Sequence, residues 1–221
     1  RLIPNSIFQI PKFGTINMHE ALLPQYRGFA PINWVLINGE NSTGITLHYI
    51  DETADTGDIL LQKSVIISKN DTAYSLFNKL LKLVSSMILD LLKKIDEKSL
   101  SPIPQKRTDG FFASRRFPQD GQIDWKLSPE TIYNLIRALS DPYPNAFCYY
   151  QNKKILIKSA ELDNDDYRGL PGSICAIKNN KIIVTCGTNH KENQAIILSN
   201  FSFENNEPIP SNFFKLWSQL K

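Results

Sequence analysis

One long amphipathic stretch near the middle of the chain constrains the fold more than any other feature. Over residues 71–95, Leu76, Leu80, Leu83, Val84, Met87, Leu91 and Leu92 recur at three- and four-residue steps, and Asp71 or Thr72 stands where a helix needs a cap. A helix of this length carries one apolar stripe and needs a layer to bury it against. The residues before it supply that layer. Residues 15–19, 43–50 and 59–67 read as strands. Residues 31–37 read as a helix with Pro31 at its start and Gly39 just past its end, and residues 5–10 as the end of a short helix closed by Pro11. Strands interleaved with helices predict an α/β fold.

Past residue 100 the texture changes. Residues 101–109 (SPIPQKRTD) are polar and proline-containing and read as a linker. Residues 129–139 read as one helix. Five short strands follow, at 147–150, 154–160, 173–177, 181–186 and 196–203, with Gln151-Asn152 and Asn179-Asn180 as hairpin turns. Such a run predicts a small OB-like β-barrel or curled sheet. Residues 211–220 read as a final helix. The expected division is a first domain over residues 1–110 and a second over 111–221.

Composition narrows the functional classes. Lys+Arg number 25 and Asp+Glu 22 in 221 residues, a formal charge of +3. Residues 1–114 carry 12 basic and 11 acidic side chains, and residues 115–221 carry 13 and 11, so neither half is a basic arm. The run from Glu161 to Asp166 holds four acidic residues, which repel nucleic acid. Cys148, Cys175 and Cys186 are odd in number and lack C-x-x-C spacing, which argues against a disulfide scaffold or a zinc site and for a reducing cytoplasm. No apolar stretch has membrane-spanning length. The chain opens on Arg1 and reads as starting inside a larger protein.

Candidate chemistry gathers in the first half. Alternate residues of a strand share a face, so Asn17 and His19 point the same way at a strand end, where sites gather in open α/β sheets. Leu22-Leu23-Pro24-Gln25-Tyr26-Arg27-Gly28 is a Pro- and Gly-bearing loop. Asp55 lies in the turn Thr53-Ala54-Asp55-Thr56-Gly57 between two strands, from which a carboxylate can orient a histidine and stabilise its protonated form. His48 falls out of phase on its strand and reads as structural, and His190 lies in a polar, solvent-exposed turn.

Together these segments resemble a known family. Residues 16–34 (INMHEALLPQYRGFAPINW) and 38–62 (NGENSTGITLHYIDETADTGDILLQ) are similar to formyltransferases that use 10-formyltetrahydrofolate, whose signature is an N-x-H pair, an S-L-L-P-x-x-R-G-x-x-P loop and a D-x-G turn. Ala21 replaces the usual Ser. Arg115-Arg116 with Asp120-Gly121-Gln122-Ile123-Asp124-Trp125, and Asp141-Pro142-Tyr143-Pro144-Asn145-Ala146-Phe147, extend the resemblance into the second half. The words Leu-Pro-Gln-Tyr-Arg-Gly and Asp-Pro-Tyr-Pro-Asn-Ala-Phe lean toward sugar-nucleotide N-formyltransferases.

The resemblance implies the C-terminal part of a Rossmann-like catalytic domain followed by the OB-like domain. In the family several βα units precede the N-x-H strand, whereas sixteen residues precede Asn17 here. The implied reaction moves a formyl group from 10-formyltetrahydrofolate to the amine of a dTDP- or UDP-linked amino sugar, in lipopolysaccharide or O-antigen biosynthesis. It implies a cytoplasmic enzyme, a homodimer, and no need of metal, membrane or nucleic acid. Asn17, His19 and Asp55 are the implied catalytic trio, with His19 or Asp55 taking the amine proton. Leu22, Leu23 and Pro24, with Thr53 and Ala54 of the Asp55 loop, are implied folate contacts, core packing being the alternative for the two leucines. Tyr26, Arg27, Arg116 and Tyr143 are implied substrate contacts, the arginines through phosphate and Tyr143 by stacking on a base. Methionyl-tRNA formyltransferase is the rival reading, followed by a formyl-folate hydrolase domain and an inactive truncated binding module.

Overall fold

The computed structural model, which describes residues 3–163, 165–188 and 194–221, builds the first part of the chain on a three-stranded antiparallel sheet. The elements in order are α1 (Asn5–Phe8), β1 (Ile16–His19), β2 (Arg27–Gly28), α2 (Pro31–Ile37), β3 (Ser42–Tyr49), β4 (Ile59–Ile66), α3 (Ala73–Asp96) and β5 (Phe112–Ala113). The sheet order is β1-β3-β4. Central β3 is buried from Thr43 to His48, as expected for a strand covered on both faces. Its register sets Asn17 opposite His48 and His19 opposite Thr46, so these four side chains share one face. A short parallel pair sets Arg27 and Gly28 of β2 beside Phe112 and Ala113 of β5. Gly28 sits there at φ +95, and a Cβ on it would meet the Ala113 carbonyl oxygen at 2.8 Å, so no larger residue fits without displacing β5.

Helix α3 follows the sequence pattern closely. Ala73, Leu76, Leu80, Met87 and Leu91 are buried along one seam, while Leu92 lies off it, 56% exposed. Lys63 of β4 donates to the Ser86 hydroxyl of α3 at 3.0 Å, tying helix to sheet. Asp71 anchors the helix start. It accepts from Ser68 N at 2.7 Å, Ser75 Oγ at 2.8 Å and Lys79 Nζ at 2.5 Å. Burial alone would raise this carboxyl, but Lys79, Ser68 and Ser75 outweigh it and hold it below the usual carboxylate range. A lowered native value stabilises the fold above the ordinary carboxylate range and loses that effect as pH falls through the native value. Asp71→Ala is therefore expected to destabilise the protein by about 1–3 kcal/mol at neutral pH, read by urea unfolding, with the difference shrinking in acid.

Residues 101–109, expected as a free linker, are instead stitched into this first unit. Ile103 exchanges both backbone bonds with Ile59, and Gln105 reaches the guanidinium of Arg27. The linker expectation fails because the Gln105 side chain finds a buried partner and Ile103 pairs its backbone.

The second unit contains residues Phe117–Lys221 and two short pieces, Leu36–Gly39 and Thr72–Tyr74. It adds α4 (Pro129–Leu139), β6 (Ala146–Tyr150), β7 (Lys153–Leu162), β8 (Ile174–Lys178), β9 (Lys181–Thr185) and β10 (Ala195–Phe203). Ser128 caps α4 by accepting from Thr131 N at 3.2 Å, with Pro129 in the first turn. The buried stripe of α4, Ile132, Leu135, Ile136 and Leu139, joins a core with Trp125, Ile155, Ile157, Val184 and Ile196. Antiparallel strands run in the order β6-β7-β10-β9-β8. Gln151, Asn152, Asn179 and Asn180 all adopt positive φ, the backbone that two-residue hairpin turns require.

The predicted final helix over 211–220 is absent; turns and extended backbone replace it. Trp217 has φ +63, Trp217 N bonds Ile174 O and Ile174 N bonds Ser218 O. Leu220 N bonds Gly172 O, and Lys221 exchanges both backbone bonds with Tyr149 of β6. Buried Phe214 packs among Tyr150, Phe201 and Phe213. Strand edges and aromatic packing thus claim the groups a helix would have paired with itself. His190 lies outside the described residues. Among the described residues, no helix is long and apolar enough to cross a membrane.

Candidate active site

Strand β1 ends in Asn17 and His19, and the turn after β3 brings Asp55 back to them. Asp55 has φ +55, and its backbone is held in that left-handed region while its carboxylate is gripped from three sides. Gly28 N donates to Oδ2 at 2.7 Å, Asn17 Nδ2 donates to Oδ1 at 3.2 Å, and His19 Nδ1 stands 3.5 Å from Oδ2. Burial would push the carboxyl up, yet His48, the charge of His19 and the Gly28 N–H together hold it below its ordinary value. The site thus contains an ionised carboxylate with little contact to water. On its far side the turn is closed by Asp51, which accepts from Thr53 N at 3.0 Å and from Thr56 Oγ1 at 2.7 Å.

The two histidines have distinct geometries. His19, 4% exposed, has Nε2 2.7 Å from the Tyr26 carbonyl oxygen. That oxygen can only accept, so Nε2 carries hydrogen and Nδ1 is the working nitrogen facing Asp55. His48 donates from Nδ1 to its neighbour's carbonyl, Tyr49 O, at 2.8 Å. Its Nε2 lies 3.2 Å from Asn17 Nδ2 and 3.5 Å from Asp55 Oδ1. Bare, that nitrogen accepts from Asn17; protonated, it donates to Asp55. The Asn17 amide is therefore oriented with nitrogen toward the carboxylate, because a carboxylate cannot donate.

Sequence reasoning missed His48. Along β3 the apolar Ile45, Leu47 and Tyr49 alternate with Thr46 and His48, so a count of apolar positions sets His48 out of phase; the register shift beside it leaves Leu60 of β4 unpaired and does not alter the pairing with β1. The signal that finds it is strand pairing, since His48 is the direct partner of Asn17.

Asn17, His48 and Asp55 form one wall of a cavity of about 550 Å³, with Phe29, Ile50 and Ala54 supplying apolar surface and Thr53 a hydroxyl. Thr53 and Ala54 both line this cavity. Leu22, Leu23 and Pro24 are outside this lining; Leu23 is core, and its backbone is pinned by Thr46 and Gln62. The Tyr26 hydroxyl donates to Glu40 at 2.6 Å, with its ring against Phe111. Arg27 is fully buried, its guanidinium on Gln105 and on the Lys106 carbonyl. Arg116 stacks over the Trp34 ring at 4.9 Å. Tyr143 is half-buried in the second unit, on the turn after α4. Trp125 is a core residue. Among the described residues, no group of three His, Cys, Asp or Glu is placed to hold a metal ion.

This geometry has relatives. Residues 1–92 match the family described as formyl transferase, and residues 116–215 match its C-terminal domain. The chain is 41% identical over 189 residues to methionyl-tRNA formyltransferase of Caldanaerobacter subterraneus subsp. tengcongensis, covering 86% of this chain and 60% of that protein. It is 40% identical over 186 residues to the bifunctional polymyxin resistance protein ArnA of Wigglesworthia glossinidia brevipalpis, covering 84% of this chain and 28% of that protein. Among solved structures, the sugar 3N-formyl transferase WlaRD, in the presence of dTDP and 5-N-formyl-THF, has a TM-score of 0.64 at 27% identity, covering 83% of this chain and 64% of that one. The chain therefore spans less than two thirds of each of these relatives.

Proposed function

The chain belongs to the formyl transferase family, and from that premise we propose that it carries the centre that moves a formyl group from 10-formyltetrahydrofolate to the amine of a dTDP- or UDP-linked amino sugar. The observation that carries the reading is the cluster of Asn17, His19, His48 and Asp55 around one ionised carboxylate at the wall of a cavity. The cavity lining suits such a donor, since it combines polar groups with the apolar side chains of Phe29, Ile50 and Ala54.

Of Asp55 and His19, Asp55 lines the cavity and His19 stands beside it. We assign Asp55 the first contact with the amine proton and His19 the balancing positive charge at Nδ1. Asn17 supplies an N–H to the oxygen that becomes negative. A proton on His48 Nε2 turns that nitrogen from acceptor to donor and releases the Asn17 N–H for this use. One such donor is worth roughly 10²–10³ in rate, and general-base help about 10²–10⁴. Thr53 and Ala54 are read as folate contacts along the cavity. Arg116 and Tyr143 remain our candidates for the nucleotide.

The same reading makes the first unit the C-terminal part of a Rossmann-like domain. It makes the second unit an OB-like barrel, supported by the chain end, which bonds both Gly172, before β8, and Tyr149 of β6. It places the protein in the cytoplasm as a homodimer. One finding favours a second reading, methionyl-tRNA formyltransferase: the 41% identity to such an enzyme.

The test uses the full-length protein with 10-formyltetrahydrofolate and a panel of dTDP- and UDP-linked amino sugars beside methionine-charged initiator tRNA, read by mass spectrometry. A formyl group on one amino sugar is the expected result. Formylation of the tRNA alone overturns the sugar assignment, and silence on every acceptor overturns formyl transfer.

A further inference from the structure

We propose that Gln105 is a positioning residue that, braced by buried Arg27, fixes the turn from which Asp55 reaches its partners. The proposal deepens the reading above and rests on it for the meaning of the rate effect, though not for the geometry.

The side-chain amide of Gln105 is saturated. Its Oε1 accepts from Arg27 Nε at 3.1 Å and from Arg27 Nη2 at 2.8 Å. Its Nε2 donates to the Asp55 carbonyl at 3.1 Å and to the Gly57 carbonyl at 2.6 Å. Two acceptors face the nitrogen and a guanidinium faces the oxygen, so the amide has one orientation, and no other side chain offers both ends at this length. The two carbonyls flank Thr56. One amide therefore clamps the backbone on both sides of the turn's centre.

Arg27 is what makes the clamp rigid. It is fully buried, and its planar fork presents two N–H groups to one oxygen. The next residue, Gly28, donates its backbone N–H to the Asp55 carboxylate. Neighbouring residues of β2 thus hold Asp55 twice: Gly28 by its carboxylate directly, and Arg27 by its backbone through Gln105. An arginine in a substrate-facing loop invites assignment to a phosphate, but here the guanidinium is turned inward and braces the carboxylate from behind. Gln105 arrives from 78 residues away in sequence, in the segment the sequence offers as a linker.

Gln105→Glu tests the clamp. It keeps an acceptor for Arg27 and removes both donors, setting carboxylate oxygens against two carbonyls. Displacement of a reacting group by about 1 Å can cost 10²-fold, so kcat for formyl transfer by the full-length protein is expected to fall about 10- to 100-fold while KM for 10-formyltetrahydrofolate stays within about threefold. Gln105→Met, which keeps the length without donor or acceptor, is expected to behave alike and serves if the first variant does not fold. In an Asp55→Ala background either change is expected to have no further effect on kcat, because it acts through Asp55. A rise in KM at constant kcat, or the same fold loss in that background, overturns the proposal. A second readout is independent of turnover. The ¹⁵N resonances of the His19 and His48 rings are expected to shift in both variants as Asp55 moves; unchanged resonances overturn the brace. Shifted resonances in a protein that transfers no formyl group support the brace and overturn only the function reading.

Discussion

Asp55→Ala is expected to abolish formyl transfer, lowering kcat by about 10³- to 10⁴-fold, the upper range for one acid–base group. The loss is large because one carboxylate serves every partner in the site. It accepts from Gly28, orients the Asn17 amide and faces the working nitrogen of His19. His19→Ala is expected to cost nearly as much, and the double variant little more than either, because groups that act as a unit are not additive. Single-turnover formyl transfer measures this, and a variant with near-normal turnover removes the residue from the mechanism. Stability carries a second signature. Against the burial that would raise it, His48, His19 and Gly28 hold Asp55 below its ordinary value. Its ionised form therefore stabilises the fold above the ordinary carboxylate range, and that contribution fades as pH falls through the native value. The stability gap between wild type and Asp55→Ala, read by urea unfolding, is expected to be widest near neutrality and to narrow in acid.

Gly57→Ala is expected to disable the same turn through packing alone. A Cβ at Gly57 would collide with the Tyr49 carbonyl oxygen and lie 2.8 Å from the Tyr49 carbonyl carbon. Both atoms belong to the end of β3, whose Tyr49 N bonds Asp58 O at 3.0 Å, so no side-chain rotation relieves the clash. Either the turn or the strand end must shift. Overpacking of this kind costs typically 1–3 kcal/mol. The shift also moves Asp55, two residues away, and pulls the Gly57 carbonyl off Gln105. A fall in kcat of about 100-fold with a lowered thermal midpoint is the expected pair of results. A variant that loses stability but keeps its turnover would show that the turn moves without carrying Asp55 with it.

Much of this was legible in the sequence, and what was illegible follows a pattern. Helix α3 announced itself through its periodic apolar stripe, and α2 through Pro31 at its start and Gly39 just past its end. The Asn-Asn and Gln-Asn hairpins were legible because few residues adopt positive φ readily. These are local signals. The site was partly legible for a similar reason: Asn17 and His19 are two apart on one strand, and Asp55 sits in a glycine-bearing turn. Three things were not legible. His48 joined the site through its cross-strand pairing with Asn17. Residues 101–109 looked like a linker because Gln105 is polar, and polarity does not reveal a buried partner. Residues 211–220 looked helical, but Trp217 bonded Ile174 of β8 and Leu220 bonded Gly172 instead. Each failure is a long-range pairing that overrode a local preference.

The Arg27–Gln105 clamp also dates the site within the life of the molecule. Most contacts that make β3 and β4 are a hairpin's, formed between near neighbours, whereas the clamp joins residues 78 positions apart. Trp34 adds a bond to the Ser114 carbonyl across 80. Contacts of such separation must wait for the intervening chain to be made and ordered. On the ribosome, the strand bearing Asn17 and His19 therefore emerges long before the segment that steadies Asp55, and competence for chemistry arrives only once residues beyond 105 have left the exit tunnel.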